Sequence, residues 1–143
     1  MNIREMTGLQ IMQAMLAGHI PAPSITQTIP MKAITVSEGE ITFEAVADER
    51  HLNPMGGVHG GFAATVLDSA TACAVHSALP AGVSYATIDL NIKMVRPVPK
   101  NKAVFATGKL INLSTSLAIA EARLVTQDGK LLATATSSCM ISR

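Results

Sequence analysis

Residues 60–78, GGFAATVLDSATACAVHSA, constrain the rest of the chain most strongly. At about 100° per residue, Val66, Ala70 and Cys73 fall roughly opposite Asp68, as an inward face should. The turns directly above and below Asp68 hold Ala64, Ala72 and Val75, which are apolar as well. A helix apolar on nearly every side is a buried one, so it needs cover on every side.

The remaining pattern supplies that cover. From residue 85 the period becomes two, with Ala86, Ile88, Leu90, Ile92 and Met94 on one side and Tyr85, Thr87, Asp89, Asn91 and Lys93 on the other. This predicts a half-buried strand, ended by Pro97 and Pro99. Two further arms, about 102–113 and 115–127, lead to the hairpin dipeptide Asp128-Gly129 and a last strand over about 130–142. Upstream, Met6, Leu9, Met12 and Leu16 predict a helix over 5–17 with Gly18 as its stop, followed by a "PAP" connector at 21–23. "MKAITVSEGEITFEAVA" reads as a hairpin around Glu38-Gly39. The order predicts an α+β chain in which one antiparallel β-sheet wraps around a central α-helix. We read residues 1–143 as a single domain, with an N-terminal helix in 1–20 and the core in 30–142.

Several partner classes are excluded at this stage. The formal net charge is +1 with scattered Lys and Arg, and there are only three Phe, one Tyr and no Trp. Neither a basic footprint nor stacking platforms exist for nucleic acid. Arg4, Glu5, Gln10 and Gln13 interrupt any signal-peptide core, and the apolar segment 60–78 is itself broken by Asp68, Ser69, Thr71 and His76, so no membrane span is expected. Cys73 and Cys139 lie far apart without metal-ligand spacing and read as structural thiols, which suits a cytoplasmic setting.

Asp68 is then the anomaly. A buried carboxylate is costly unless it is paired, protonated or functional. Gly56, Gly57, Gly60 and Gly61 crowd the helix entry, where free N–H groups and the positive end of the helix dipole suit an anion or a developing oxyanion. Eight residues of helix separate Gly60 from Asp68 by roughly 12 Å, too far for both to act on one carbonyl. In a two-fold pair of such helices, the tip of one can lie beside the acid of the other. The outer stripe of the helix calls for the same partner, so at least a homodimer is expected.

Asn53-Pro54-Met55-Gly56, His59-Gly60-Gly61 and Asp68 resemble the N-x-x-G-x-x-H-G-G-x-x-x-x-x-x-D block of hotdog-fold acyl-CoA thioesterases, in their phenylacetate-degradation (PaaI-type) branch. "ATIDLNIKMVRPV" is similar to that family's long central strand, and the resemblance covers about residues 30–142. It implies a hotdog fold and hydrolysis of an acyl-CoA to free coenzyme A and a carboxylic acid. No cofactor is implied, because coenzyme A belongs to the substrate. By position, it implies that Gly60 donates its backbone N–H to the oxyanion and Asn53 places the carbonyl or the water. Asp68 of the partner chain acts as base or nucleophile, Thr87 holds the water, and His59 braces the loop and polarises the carbonyl. Gly61 joins the substrate-binding turn, while Lys93 and Arg96, with Lys100 and Lys102, are the cations available to coenzyme A phosphates. The family commonly forms homotetramers as dimers of dimers. The alternatives are a non-catalytic acyl-CoA binder or sensor, which has no use for an acid beside the thioester, and a hydratase. Asp89 and Asn91 form a D-x-N faintly like that of hotdog hydratases, but the following His is missing.

Overall fold

The computed structural model describes residues 2–143. Its helices are α1 (Gly8–Leu16), α2 (Ile25–Thr28) and α3 (Gly60–His76), and its strands are β1 (Met31–Ser37), β2 (Glu40–Val46), β3 (Ser84–Met94), β4 (Ala103–Leu113), β5 (Leu117–Thr126) and β6 (Leu131–Ser142). All pairings are antiparallel, in the order β1-β2-β4-β5-β6-β3. The sheet wraps around α3, giving the α+β hotdog arrangement expected from the chain order.

Burial of α3 follows from its apolar circumference. Val66, Leu67, Ala70 and Ala74 are fully enclosed beneath β2, β4 and β5. Burying side chains such as Phe62, Val66 and Leu67 stabilises the fold by about 1.5–3 kcal/mol each. The sheet presses hardest at Gly108 of β4. A Cβ there would stand 2.0 Å from the Ala70 carbonyl oxygen, so only glycine lets strand and helix come this close.

Two details depart from the helical wheel. Val75, expected on the outer stripe, is completely buried with Leu79, Ala118, Ala120, Cys139 and Ile141 in a second cluster. Strands β5 and β6 close over that end of the helix. Cys73, expected inside, is only half-buried. The stripe that this chain leaves uncovered comprises Ala64, Thr65, Asp68, Ser69, Ala72 and Cys73.

Strand β3 differs more sharply from expectation. Its pairing with β6 shifts register between Thr87 and Asp89, so Ile88 is surplus and 58% exposed. A one-residue bulge reverses which side each later side chain takes. Tyr85 and Thr87 therefore face the helix together with Leu90 and Ile92, whereas Ala86, Asp89, Asn91 and Lys93 face outward. Asp89 repairs the disruption by accepting a hydrogen bond from the Ser138 N–H at 3.1 Å. Its role is structural, and the D-x-N lies on the wrong side of the sheet for chemistry at α3.

At the N-terminus the helix begins three residues later than the periodicity suggests, because Thr7 and Gln10 form a capping box. Gly8 seats α1 on the end of α3, donating to the Leu79 carbonyl at 2.9 Å. The short α2 and the helical turn Glu49–His51 lie where the sequence shows only connectors. Each is too short for periodicity to reveal.

Candidate active site

The tip of α3 is positioned by the turn before it. Asp48 accepts three hydrogen bonds, from the Arg50 backbone N–H and two guanidinium nitrogens, which hold its carboxyl well below the usual carboxylate range. The buried His51 accepts from the Asp48 N–H through Nδ1 at 2.9 Å, and its Nε2 meets the Thr28 carbonyl at 2.6 Å. Its ring leans on Phe62 of α3 at 5.0 Å between centroids. His51 also accepts, through its own carbonyl, the N–H of His59 at 2.7 Å. The loop is thereby bound to both the strap α2 and the helix that it introduces.

Within this frame Asn53 closes the glycine turn. Its Oδ1 accepts from the Met55 and Gly57 N–H groups at 3.0 and 3.1 Å, an Asx turn. The Nδ2 group makes no hydrogen bond among the described residues and remains available to a ligand. His59 is the N-cap of α3, and its Nδ1 accepts from the Gly61 N–H at 2.8 Å. That contact occupies the Gly61 amide and fixes the ring, so His59 is a brace. The Gly60 N–H has no acceptor among the described residues. One donor at the positive end of a 17-residue helix is therefore left without a protein acceptor among the described residues.

Two turns along α3, Asp68 is half-buried on the uncovered stripe. Thr87, turned inward upstream of the bulge, donates its hydroxyl to Asp68 Oδ1 at 2.9 Å. Asp68 Oδ2 makes no hydrogen bond among the described residues. The neighbouring groups stay neutral around this acid. Burial, then the Asp68 charge, pushes the Cys73 thiol up to about 12, and burial likewise raises Cys139 and the Tyr85 hydroxyl. Both cysteines are free, as expected from their spacing.

The cations are distributed differently. Arg96 donates to the Leu131 carbonyl at 2.8 Å and lines a cleft of about 240 Å³ shared with His59, Gly60 and Met94. Lys93 lies on the outer face of the sheet with Lys109 and Arg123, away from α3. Lys100 pairs with Glu49 at 2.8 Å. No group of three or more potential metal ligands occurs among the described residues. No helix among them is long and apolar enough to cross a membrane.

An antiparallel sheet curled around one central helix defines the hotdog fold. Residues 55–133 match the thioesterase superfamily, and the chain belongs to that family: it is a thioester hydrolase. A protein of Halobacterium salinarum, provisionally named an esterase, is 30% identical over 79% of this chain and 77% of its own. Acyl-coenzyme A thioesterase 13 of Mus musculus is 27% identical over 70% of this chain and 71% of its own. Among solved structures, a phenylacetic acid degradation-related protein of Ralstonia eutropha JMP134 is 33% identical, with a TM-score of 0.82 over 90% of this chain and 98% of that one. The PaaI-type resemblance thus extends from the motif to the fold.

Proposed function

We propose that the chain hydrolyses acyl-CoA thioesters in a site shared by two protomers. One protomer supplies the Gly60 N–H and Asn53, and its partner supplies Asp68 and Thr87. The observation that carries this reading is the tethered Asp68, held by Thr87 at 2.9 Å on a stripe of small side chains that its own chain leaves open. The open Gly60 amide lies roughly 12 Å away within the same helix, so a second helix is required to bring tip and acid together. Strand β3 supports the same reading. It is an eleven-residue edge that pairs only with β6, and a long unpaired edge is a template for another strand.

In the resulting reaction the thioester carbonyl accepts from Gly60. Asp68 takes a proton from water as the water oxygen bonds to the carbonyl carbon. The negative charge collects on the carbonyl oxygen at the helix tip, where one such donor contributes ~2.7–4 kcal/mol. Collapse breaks the C–S bond, and the proton held by Asp68 passes to the departing thiolate. Alternatively, Asp68 attacks the carbonyl itself, breaking the C–S bond and expelling the thiolate, which takes a proton from solvent, and the resulting anhydride is opened by water. Water and protein groups suffice for either route, so the reading includes no cofactor. It assigns coenzyme A phosphates to Arg96, which shares the cleft of His59 and Gly60, rather than to Lys93 on the outer face of the sheet, and a cytoplasmic dimer or dimer of dimers as the working form.

Release of free coenzyme A from a panel of acyl-CoAs, followed with a thiol reagent, tests this reading. The native chain should turn over at least one of them, and Asp68→Asn should lose about 10³-fold or more, the scale seen when a catalytic acid–base group is removed. Equal rates for the two would overturn the assignment. A single turnover in ¹⁸O-water separates the routes, because anhydride opening at the protein carbonyl leaves ¹⁸O in Asp68.

A further inference from the structure

Between the α1–α2 arm and the flank of α3 lies a cavity of about 320 Å³ that the mechanism above does not use. Ile11, Met15, Ile25 and Phe43 wall it, and Cys73, His76 and Tyr85 form its base. On α3, Ser69, Cys73 and His76 lie about 80–140° around from Asp68, so the cavity flanks the acid-bearing stripe. Its lining includes Ser69, next to Asp68 in the chain, and Tyr85 of β3. Tyr85 stands two residues before Thr87 on the inner face of β3, about 6.6–6.8 Å along the strand from the residue that holds Asp68. Cys73 and Tyr85 both feel the Asp68 charge. Cavity and acid share one end.

Apart from Lys32, the lining holds no Lys, Arg, Asp or Glu. Burial lowers the His76 pKa and raises those of Tyr85 and Cys73, so all three are neutral near pH 7. Lys32 touches the rim, but its side chain is 74% exposed and pairs with Glu44 at 3.5 Å. The buried His76 Nδ1 has no hydrogen-bond partner among the described residues. The cavity thus offers a phosphate or carboxylate no buried counter-charge, since Lys32 is largely solvated and paired with Glu44. At the lower end of the usual ligand-cavity range of about 300–1,000 Å³, it suits a compact apolar group.

We propose that this cavity holds the acyl group of the thioester, and that Met15 and its neighbours on the α1–α2 arm set the length accepted, selecting uncharged, mainly apolar acyl groups against dicarboxylic ones. The inference rests on thioester hydrolysis at Asp68, and its test separates the two. Initial rates are measured with straight-chain acyl-CoAs from acetyl to hexadecanoyl and with succinyl-CoA, for the native chain, Met15→Trp and Met15→Ala. Binding of the uncharged fluorescent probe N-phenyl-1-naphthylamine gives a readout that needs no turnover.

The native chain should prefer chains longer than acetyl and use succinyl-CoA at least about 10-fold less well than butyryl-CoA. Met15→Trp should shift the optimum to shorter chains, losing about 10-fold in kcat/KM on the longest good substrate while acetyl-CoA changes by less than about 3-fold. Met15→Ala, which keeps the test valid if the tryptophan variant misfolds, should shift it the other way. The probe should bind the native chain, be displaced by long acyl-CoAs, and bind Met15→Trp at least about 10-fold more weakly. Uniform rate changes across chain lengths with unaltered probe binding would overturn the acyl pocket and leave the hydrolase intact. If no acyl-CoA is turned over, the hydrolase reading fails, and the probe alone decides: binding that the Met15 variants do not alter would overturn the cavity as an apolar site.

Discussion

Gly108→Ala should damage stability and catalysis through one displacement. The added Cβ would begin 2.0 Å from the Ala70 carbonyl oxygen and 2.5 Å from its carbon, whereas real Cβ contacts essentially never fall below 3.0 Å. Strand and helix must then separate by at least 1.0 Å, since 3.0 − 2.0 = 1.0. No flexible side chain can yield, because the obstacle is helix backbone and Ala70 is fully buried. Overpacking of this kind costs about 1–3 kcal/mol, and the rigid obstacle places this case near ~3 kcal/mol. Ala70 lies two residues beyond Asp68, so the same shift moves the acid, and a misplacement of ~1 Å can cost about 10²-fold in rate. Urea unfolding at fixed protein concentration reads the first effect, and kcat at a temperature where the variant is folded reads the second. A loss under ~0.5 kcal/mol, the usual scale for a surface change, would refute the close approach of β4 and α3. A large stability loss with unchanged kcat would show that the seating of Ala70 does not set the position of Asp68.

Three further outcomes are expected. Thr87→Val removes a hydrogen bond to a carboxylate worth about 1.5–3 kcal/mol, so kcat should fall roughly 10–150-fold. Thr87→Ser should stay within a few-fold, and equal losses for the two would point to packing instead. His76 has its folded pKa lowered by burial. The unfolded chain therefore binds the proton more readily, and stability should be full above pH 6.5 and decline as pH falls from there toward the folded pKa. His76→Gln should flatten that dependence between urea midpoints at pH 7.5 and 5.5. The folded chain should consume no thiol reagent at pH 8, because Cys73 is pushed up to about 12 and Cys139 is raised too. Both should react in denaturant, and ready reaction in the folded chain would contradict the raised thiol pKa values.

How much of this was legible in the sequence differed by element. The segment 60–76 announced itself, because few environments accept so many apolar side chains around a whole helix. Asn53, His59, Gly60 and Asp68 were readable as residues, yet their partners were not. Nothing in the sequence shows that His59 occupies the Gly61 amide and so leaves Gly60 as the open donor. Thr87 was assigned to the same side as Asp89 and Lys93, because TIDLNIK alternates without interruption and a bulge leaves no mark in such a run. Gly108 was missed although it carried a signal, since an isolated glycine in a strand often marks a close backbone approach. In the α1–α2 arm the first helix was legible from its period, whereas α2 escaped because a four-residue helix has no period to detect.

The surplus residue in β3 also changes how substitutions along that strand should be read. Before Ile88 the odd-numbered positions, Tyr85 and Thr87, reach the interior; after it the even-numbered ones, Leu90 and Ile92, do so. A saturation scan across 84–94 should therefore find that tolerant and intolerant sites exchange parity at 88. Removing that one residue would restore an unbroken alternation and leave both halves of the strand facing as they do now.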